Sequence, residues 1–322
     1  MNNPPASIGI DLGGTNTKVG MLIGDALQHT RSFPTQSFRP RDKVLEDIVG
    51  AVASLQKEAR DNNITVAALG IGVPATINVA KGQTLIMPNF AKGWFGFSVV
   101  DYLQEKTELA TSLINDARAF VLAETKLGVA KDYDDVFGII LGTGVGGGVV
   151  INKTLHIGNG ALAGEIGHHI VDPQGVRCGC GSVGCLETVA SAPALVASVT
   201  RPFLHGRCPI LFELTEGDLS AISAATITQA ARQGDTACKE ALERVGFFLG
   251  LATANAMTLL APECIVVGGG LAGASDLLFP TIQETWQRYL QVVGELKPEL
   301  LRASLEQPGV LGAALYAREG RG

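Results

Sequence analysis

Three of the six cysteines of this 322-residue chain, Cys178, Cys180 and Cys185, fall within eight residues, and His168 stands ten residues before the first of them. One imidazole and three thiolates make the four ligands of a tetrahedral zinc site. Glycines separate the cysteines in Cys178-Gly-Cys180-Gly-Ser-Val-Gly-Cys185, so the backbone can turn tightly enough to aim three sulfurs at one ion. Unrelated core thiols are the competing reading, since cysteine is often a plain core residue; a glycine-spaced trio is a poor core pattern. A disulfide is not expected, because Cys208, Cys238 and Cys264 are scattered and no secretory signal is read at the N-terminus. Four protein ligands leave no open position for water, which favours a structural over a catalytic metal. Glu165 and Glu187 flank the cluster without being obvious ligands, as a polar pocket braced by a metal loop would require.

Three glycine-rich turns each follow an apolar run. They are Asp11-Leu-Gly13-Gly14-Thr15-Asn16-Thr-Lys18, Gly142-Thr143-Gly144-Val-Gly-Gly-Gly148, and Gly268-Gly269-Gly270 running on to Gly273. Turns of this kind let backbone N–H groups approach phosphate oxygens. Any one of them is as well explained as a structural turn; three in one chain, two with a threonine among the glycines, point to bound phosphate. Residues 142–147 match the dinucleotide spacing Gly-x-Gly-x-x-Gly, but β-branched Val149, Val150 and Ile151 follow where that motif needs a helix. The absence of any Gly-Lys pair excludes a P-loop. Asp11, at a strand end, could hold Mg²⁺ against nucleotide phosphates or simply cap its turn. Asn115-Asp116 closes one apolar run and opens a helical one. A carboxylate there faces the positive end of the helix dipole and suits a base that takes a hydroxyl proton during phosphoryl transfer; an ordinary helix N-cap is the alternative.

The elements that must position these groups are legible from periodicity. Ser7–Leu12 and Val19–Ile23 read as a hairpin about the first glycine turn. Leu45, Ile48, Val49, Val52 and Leu55 recur at helical spacing within residues 43–60. Strands are expected over residues 67–73, ending at Asn115, over 136–141 and 149–151, and over 264–267, with helices over 117–127, 221–232, 236–260 and 312–318. The arrangement of strand, Gly/Thr turn and strand occurs twice, at Asp11 and at Gly142, as a duplicated α/β unit would show. A lobe boundary is expected near residue 115.

Composition narrows the partners. A formal net charge of −6 without a basic cluster argues against nucleic acid or an anionic membrane. No apolar run reaches the ~18 residues of a membrane span, and with reduced thiols this points to the cytoplasm. Asn63-Ile-Thr and Asn152-Lys-Thr match the glycosylation triplet, matches that are empty in a cytosolic protein.

These residues resemble the ROK sugar kinases of the hexokinase, actin and heat-shock ATPase superfamily. The resemblance runs nearly end to end. It includes Asp11-Leu-Gly-Gly-Thr-Asn, Gly72-Val-Pro74, Pro88-Asn89 with Gly93-Trp94, Asn115-Asp116 and Leu141-Gly-Thr-Gly-Val-Gly-Gly-Gly148. It continues through Gly164-Glu-Ile-Gly-His168, the cysteine stretch ending in Leu186-Glu187, Gly268-Gly-Gly270 and Leu311-Gly-Ala-Ala. The Gly-Glu-x-Gly-His and cysteine signatures are the specific part, since many ATPases share the glycine turns.

The resemblance implies an α/β, two-lobed, actin-like (ribonuclease H-like) ATPase fold with a nucleotide and sugar cleft. Residues 1–115 with a C-terminal helix near 309–322 would form the small lobe, and 116–308 the large lobe with the zinc loop. Asp116 would be the general base. Asn89, Asn115, Glu165, His168 and Glu187 would bind sugar hydroxyls. Asp11, Gly13, Gly14, Thr15, Asn16 and Lys18, together with Gly142, Thr143 and Gly144, would meet the phosphates of ATP and its Mg²⁺. Gly268, Gly269 and Gly270 would lie by the adenosine. His168, Cys178, Cys180 and Cys185 would hold structural Zn²⁺, the histidine serving metal with one edge and sugar with the other. Glucose is the expected substrate; N-acetylmannosamine, N-acetylglucosamine, fructose and allose are the alternatives, and a non-catalytic sugar sensor is the alternative of a different class. A repressor is not expected, because the first glycine turn begins at residue 13. A homodimer is implied by the resemblance alone.

Overall fold

The computed structural model describes residues 5–292, 294 and 296–320. The chain opens with β1 (Ala6–Leu12), β2 (Asn16–Ile23), β3 (Ala26–Pro34), α1 (Arg41–Asp61), β4 (Val66–Val73), β5 (Thr76–Asn78), β6 (Gln83–Ile86), α2 (Val99–Thr107), β7 (Ala110–Asn115) and α3 (Asp116–Lys126). It continues through β8 (Val136–Leu141), β9 (Val145–Ile151), β10 (Thr154–His156), α4 (Glu187–Ala190), α5 (Ala192–Leu204), α6 (Pro209–Leu214), α7 (Ala224–Arg232) and α8 (Thr236–Leu260). It closes with β11 (Cys264–Gly268), α9 (Ser275–Tyr289), β12 (Glu299–Arg302) and α10 (Pro308–Arg318).

Two five-stranded sheets follow one plan. The first has the order β3-β2-β1-β4-β7 and the second β10-β9-β8-β11-β12. In each, three consecutive strands lie side by side and two later strands join beyond the first of them. β1 runs antiparallel to β2 and parallel to β4, which runs parallel to β7. β11 is parallel to both β8 and β12. The sheets thus carry the duplication that the two Gly/Thr turns announce.

Two compact units divide the chain. The first runs through Asp132 and takes in Val149–Ala163 and the segment from Ser304 on; the second comprises Tyr133–Gly148 and Gly164–Ala303. The first division therefore falls after α3, not near residue 115 where the lobe boundary is expected. The physical reason is packing: the backbone of α3 at Ala119 presses on Gly312 of α10, where an added Cβ would come within 1.8 Å of the Ala119 carbonyl.

The core of the first unit joins Ile8 and Ile10 of β1, Leu69 and Ile71 of β4, and Leu45, Ile48, Val52 and Leu55 of α1. The other face of the sheet is covered by α10. Gly9 and Gly70 are register partners on β1 and β4, and side chains there would strike the Val310 and Ala313 carbonyls at 2.0 and 1.9 Å. A pair of glycines thus lets the α10 backbone lie directly on the sheet. In the second unit α8 packs against α9, and the buried Trp286 indole donates to the Thr253 hydroxyl at 2.8 Å. No helix among the described residues is long and apolar enough to cross a membrane.

Candidate functional site

In the first unit, Asp11 and the Asn115-Asp116 pair stand at one edge of the sheet. Asp11 registers with Gly72 of β4, and Gly72 with Ile114 of β7. The carboxyl ends of these parallel strands thus carry the candidate groups, the usual ligand edge of an α/β sheet. Asp11 also faces Lys18 across β1 and β2. Burial pushes the Asp11 carboxyl above its usual range, and the Lys18 ammonium opposes this. A divalent cation beside it would stabilise the ionised form, so this carboxylate suits Mg²⁺.

The first turn is closed by Gly13 N–H to the Asn16 carbonyl at 3.1 Å. Thr35 braces it from β3's end: its hydroxyl donates to the Gly13 carbonyl at 2.7 Å, and its N–H to the Thr15 carbonyl at 2.8 Å. Gly14, Thr15 and Asn16 are left exposed at the tip. Thr35 has no spacing signature, which is why sequence reasoning missed it.

Asn115 is the N-cap of α3. Its side-chain oxygen accepts from Ala117 N–H at 3.1 Å and Arg118 N–H at 3.2 Å, and its amide donates to the Ala75 carbonyl at 3.3 Å. Asp116 is the first helical residue, and its carboxylate accepts from Ala117 N–H at 2.8 Å. Both side chains thus accept an N–H of the first turn of α3. Asn89 is exposed and holds a left-handed backbone with φ 65°. Its loop is tied back by Ala91 N–H to the Ser37 carbonyl and by Arg41 to the Gly93 carbonyl.

In the second unit the ligand atoms of His168, Cys178, Cys180 and Cys185 all lie within 4.8 Å of one another. His168 Nδ1 is 3.8 Å from Cys178 Sγ, and Cys180 Sγ is 3.7 Å from Cys185 Sγ. Zinc bound tetrahedrally at ~2.3 Å to sulfur sets sulfur–sulfur edges of about 3.8 Å. A disulfide would need about 2.0 Å, and the thiols are free. Both the donor set and its spacing fit zinc. Hydrogen bonding by the Ser182 backbone N–H lowers the Cys180 thiol to about 7, whereas burial pushes Cys185 up to about 12.

The Gly-Glu-x-Gly-His turn is held against β9 at backbone distance. A Cβ at Gly164 would sit 2.7 Å from Gly148 Cα, and one at Gly167 would sit 1.9 Å from the Val145 carbonyl. The two glycines therefore press Glu165 and His168 onto the strand that leaves the second glycine turn. His168 directs Nδ1 toward the cluster, and the residue as a whole stays exposed. The neighbouring His169 is half-buried, burial lowers its imidazole pKa, and its carbonyl accepts from Leu186 N–H.

Glu187 joins the cysteine loop to the glycine turn. One carboxylate oxygen accepts from Val145 N–H at 3.0 Å, and the other takes the Cys178 thiol at 3.7 Å. The Gly142–Gly144 turn is closed by Gly142 N–H to the Gly144 carbonyl, and the Gly142 carbonyl accepts from Ala192 N–H, both at 2.9 Å. Thr143 is exposed at its tip. Gly268 registers with Ile140, so the second and third glycine turns share one end of β8 and β11. Gly269 has φ 84°, and a Cβ there would lie 2.3 Å from the Leu141 carbonyl. The third turn then runs into a short 3-10 helix over Gly270–Ala274.

The sequence matches the ROK family over residues 7–320. It is 33% identical over 313 residues to a glucokinase of Thermotoga maritima, covering 97% of each chain. It is 31% identical over 315 residues to an N-acetylmannosamine kinase of Escherichia fergusonii, covering 97% of this chain and 98% of that one. Its fold matches the structure of a ROK family glucokinase from Streptomyces griseus in complex with glucose and AMPPNP, with TM-score 0.83, 31% identity, and coverage of 98% of this chain and 100% of that one. The chain belongs to the ROK family, as an ATP-dependent sugar kinase built on the actin-like α/β fold.

Proposed function

We propose that the chain transfers the γ-phosphoryl group of ATP to the 6-hydroxyl of glucose, with Asp116 as the general base. The observation that carries this reading is the place of Asp116 at the start of α3. Asn115 is the N-cap, and Asp116 follows it as the first helical residue, just past the carboxyl end of β7, where a carboxylate can accept a hydroxyl proton. The helix dipole at that position favours the carboxylate.

Substrate hydroxyls are oriented by Asn89, Asn115, Glu165, His168 and Glu187. Backbone N–H groups of the Asp11–Lys18 turn and of Gly142–Gly144 bind the phosphates, and Gly268–Gly270 sits by the adenosine. Asp11 would hold Mg²⁺, directly or through water; the ion supplies charge neutralisation on the phosphates. His168, Cys178, Cys180 and Cys185 would hold Zn²⁺, which supplies rigidity to the loop that carries Glu187. Most of the rate comes from holding the hydroxyl and phosphorus in line and from stabilising charge.

N-acetylmannosamine is the second reading, favoured by the Escherichia fergusonii relative. The test is an ATP-consumption assay with Mg²⁺ against glucose, mannose, fructose, allose and the two N-acetylhexosamines. A clear margin for glucose in kcat/KM is expected. A margin for an N-acetylated sugar keeps Asp116 as base and replaces the substrate. No turnover with any sugar, from zinc-replete protein, leaves the sugar sensor.

A further inference from the structure

Two charged side chains of α3 are almost fully buried, Arg118 at 1% and Glu124 at 0% exposure, and the reaction above uses neither. A buried charge is costly unless its hydrogen bonds are met. Both side chains hydrogen-bond to residues beside the places where the chain passes from one unit to the other. There are four such passages, at 132/133, 148/149, 163/164 and 303/304.

Arg118 donates from Nε and Nη2 to the Ala163 carbonyl, at 3.1 and 2.9 Å. Ala163 is the last residue before the third passage. Glu124 Oε1 accepts from Ser304 N–H at 3.0 Å and Leu305 N–H at 2.9 Å, the first two residues after the fourth. Glu124 Oε2 accepts from Val129 N–H at 3.1 Å and the Ser304 hydroxyl at 3.3 Å. Val129 belongs to the turn that leads into the first passage, and that turn is also closed by Gly128 N–H and Ala130 N–H to the Glu124 carbonyl. Gly128 allows the close approach: a Cβ there would lie 2.0 Å from Glu124 Oε2. Four donors fill the lone pairs of one carboxylate. Every one of these bonds lies within the first unit.

One helix therefore carries the proposed base at its first residue and grips three of the four passages from further along. Transfer to sugar rather than water needs the reacting groups enclosed at that moment. Enzymes that enclose substrates turn about a few linker residues. We propose that Arg118 and Glu124 are positioning residues that fasten the linkers to the helix of the base, so that Asp116 and the three passages move as one body. This inference rests on the kinase reading.

The test uses Arg118→Lys, Glu124→Gln and the milder Ser304→Ala in the full chain. Glu124→Gln keeps one acceptor for Ser304 and Leu305 but sets a donor against Val129 N–H. Each variant is assayed for sugar phosphorylation where circular dichroism shows it folded, beside the wild type. We expect kcat to fall ~10-fold or more in Arg118→Lys and Glu124→Gln, with both KM values within about threefold, as misplacement of reacting groups produces. Ser304→Ala should show the same pattern more weakly. Hydrogen exchange gives a second readout: sugar plus a non-hydrolysable ATP analogue should slow exchange at Val129, Ser304 and Leu305 in the wild type, and not in Glu124→Gln. Variants that lose melting temperature but keep kcat within about twofold of an active wild type overturn this inference and leave the kinase reading intact. A wild type that phosphorylates no sugar overturns the kinase reading, and this inference with it.

Discussion

At the scale of single residues, Asp116 and Asp11 make different demands on the fold. Asp116→Asn preserves the shape of the side chain and removes its basicity. Steady-state kinetics should show kcat reduced ~10³-fold with sugar KM little changed; full activity would refute the assignment of the base. Asp11 is held where burial raises its pKa. A carboxyl with a raised folded-state pKa contributes stability that is complete below its unfolded value, ~3.9, and is lost as pH rises through the folded value. At pH 7 Asp11 therefore costs stability relative to low pH. Asp11→Asn should melt at a higher temperature than the wild type at pH 7, with the difference vanishing below about pH 4, while turnover falls at least ~10-fold. A variant that melts lower at pH 7 would contradict the electrostatic account.

Among elements, the turn that carries Glu165 and His168 depends on close backbone contact with β9. Gly167→Ala places a methyl 1.9 Å from the Val145 carbonyl, and denaturant unfolding should show a loss of about 2–4 kcal/mol. Gly179→Ala, with nothing within 4 Å of the added Cβ, should be near neutral in the same measurement.

The legibility of the elements followed from their chemistry. β1, β4 and β8 are nearly continuous apolar runs, and α1 has a clean helical period, so both types declare themselves. β3 alternates exposed and half-buried residues along Ala-Leu-Gln-His-Thr-Arg-Ser-Phe-Pro and joins the sheet only at its edge, which left it unread. The helix expected from Ala221 begins at Ala224, because Ser223 and Thr226 form a capping box after a 3-10 turn. The cysteine cluster was readable because ligand type and glycine spacing are local properties. The grip of Arg118 and Glu124 was not, since their partners lie up to 181 residues away.

For the whole molecule, the residues proposed to hold zinc all belong to the second unit, whereas the first has its own core. The two tryptophans divide the same way: Trp94 is buried in the first unit and Trp286 in the second. Chains of this size and organisation need not unfold in one step. Trp94→Phe leaves Trp286 to report alone, and Trp286→Phe leaves Trp94. Removal of zinc with a chelator should lower the melting transition seen by Trp286 by ~5 °C or more and that seen by Trp94 by less. Equal shifts would mean that the units melt as one.

The placement of α10 also sets an order of events during synthesis. The bed of paired glycines on β1 and β4 is occupied by a helix from the far end of the chain, and the Ser7 hydroxyl donates to the Ala314 carbonyl across 307 residues of sequence. At ~5–20 residues per second, the ribosome needs about 10–40 s to travel from the end of α3 to the end of α10. Throughout that interval the bed of paired glycines on the nascent sheet waits uncovered, while the second unit, whose segments all precede Ser304, can complete itself first.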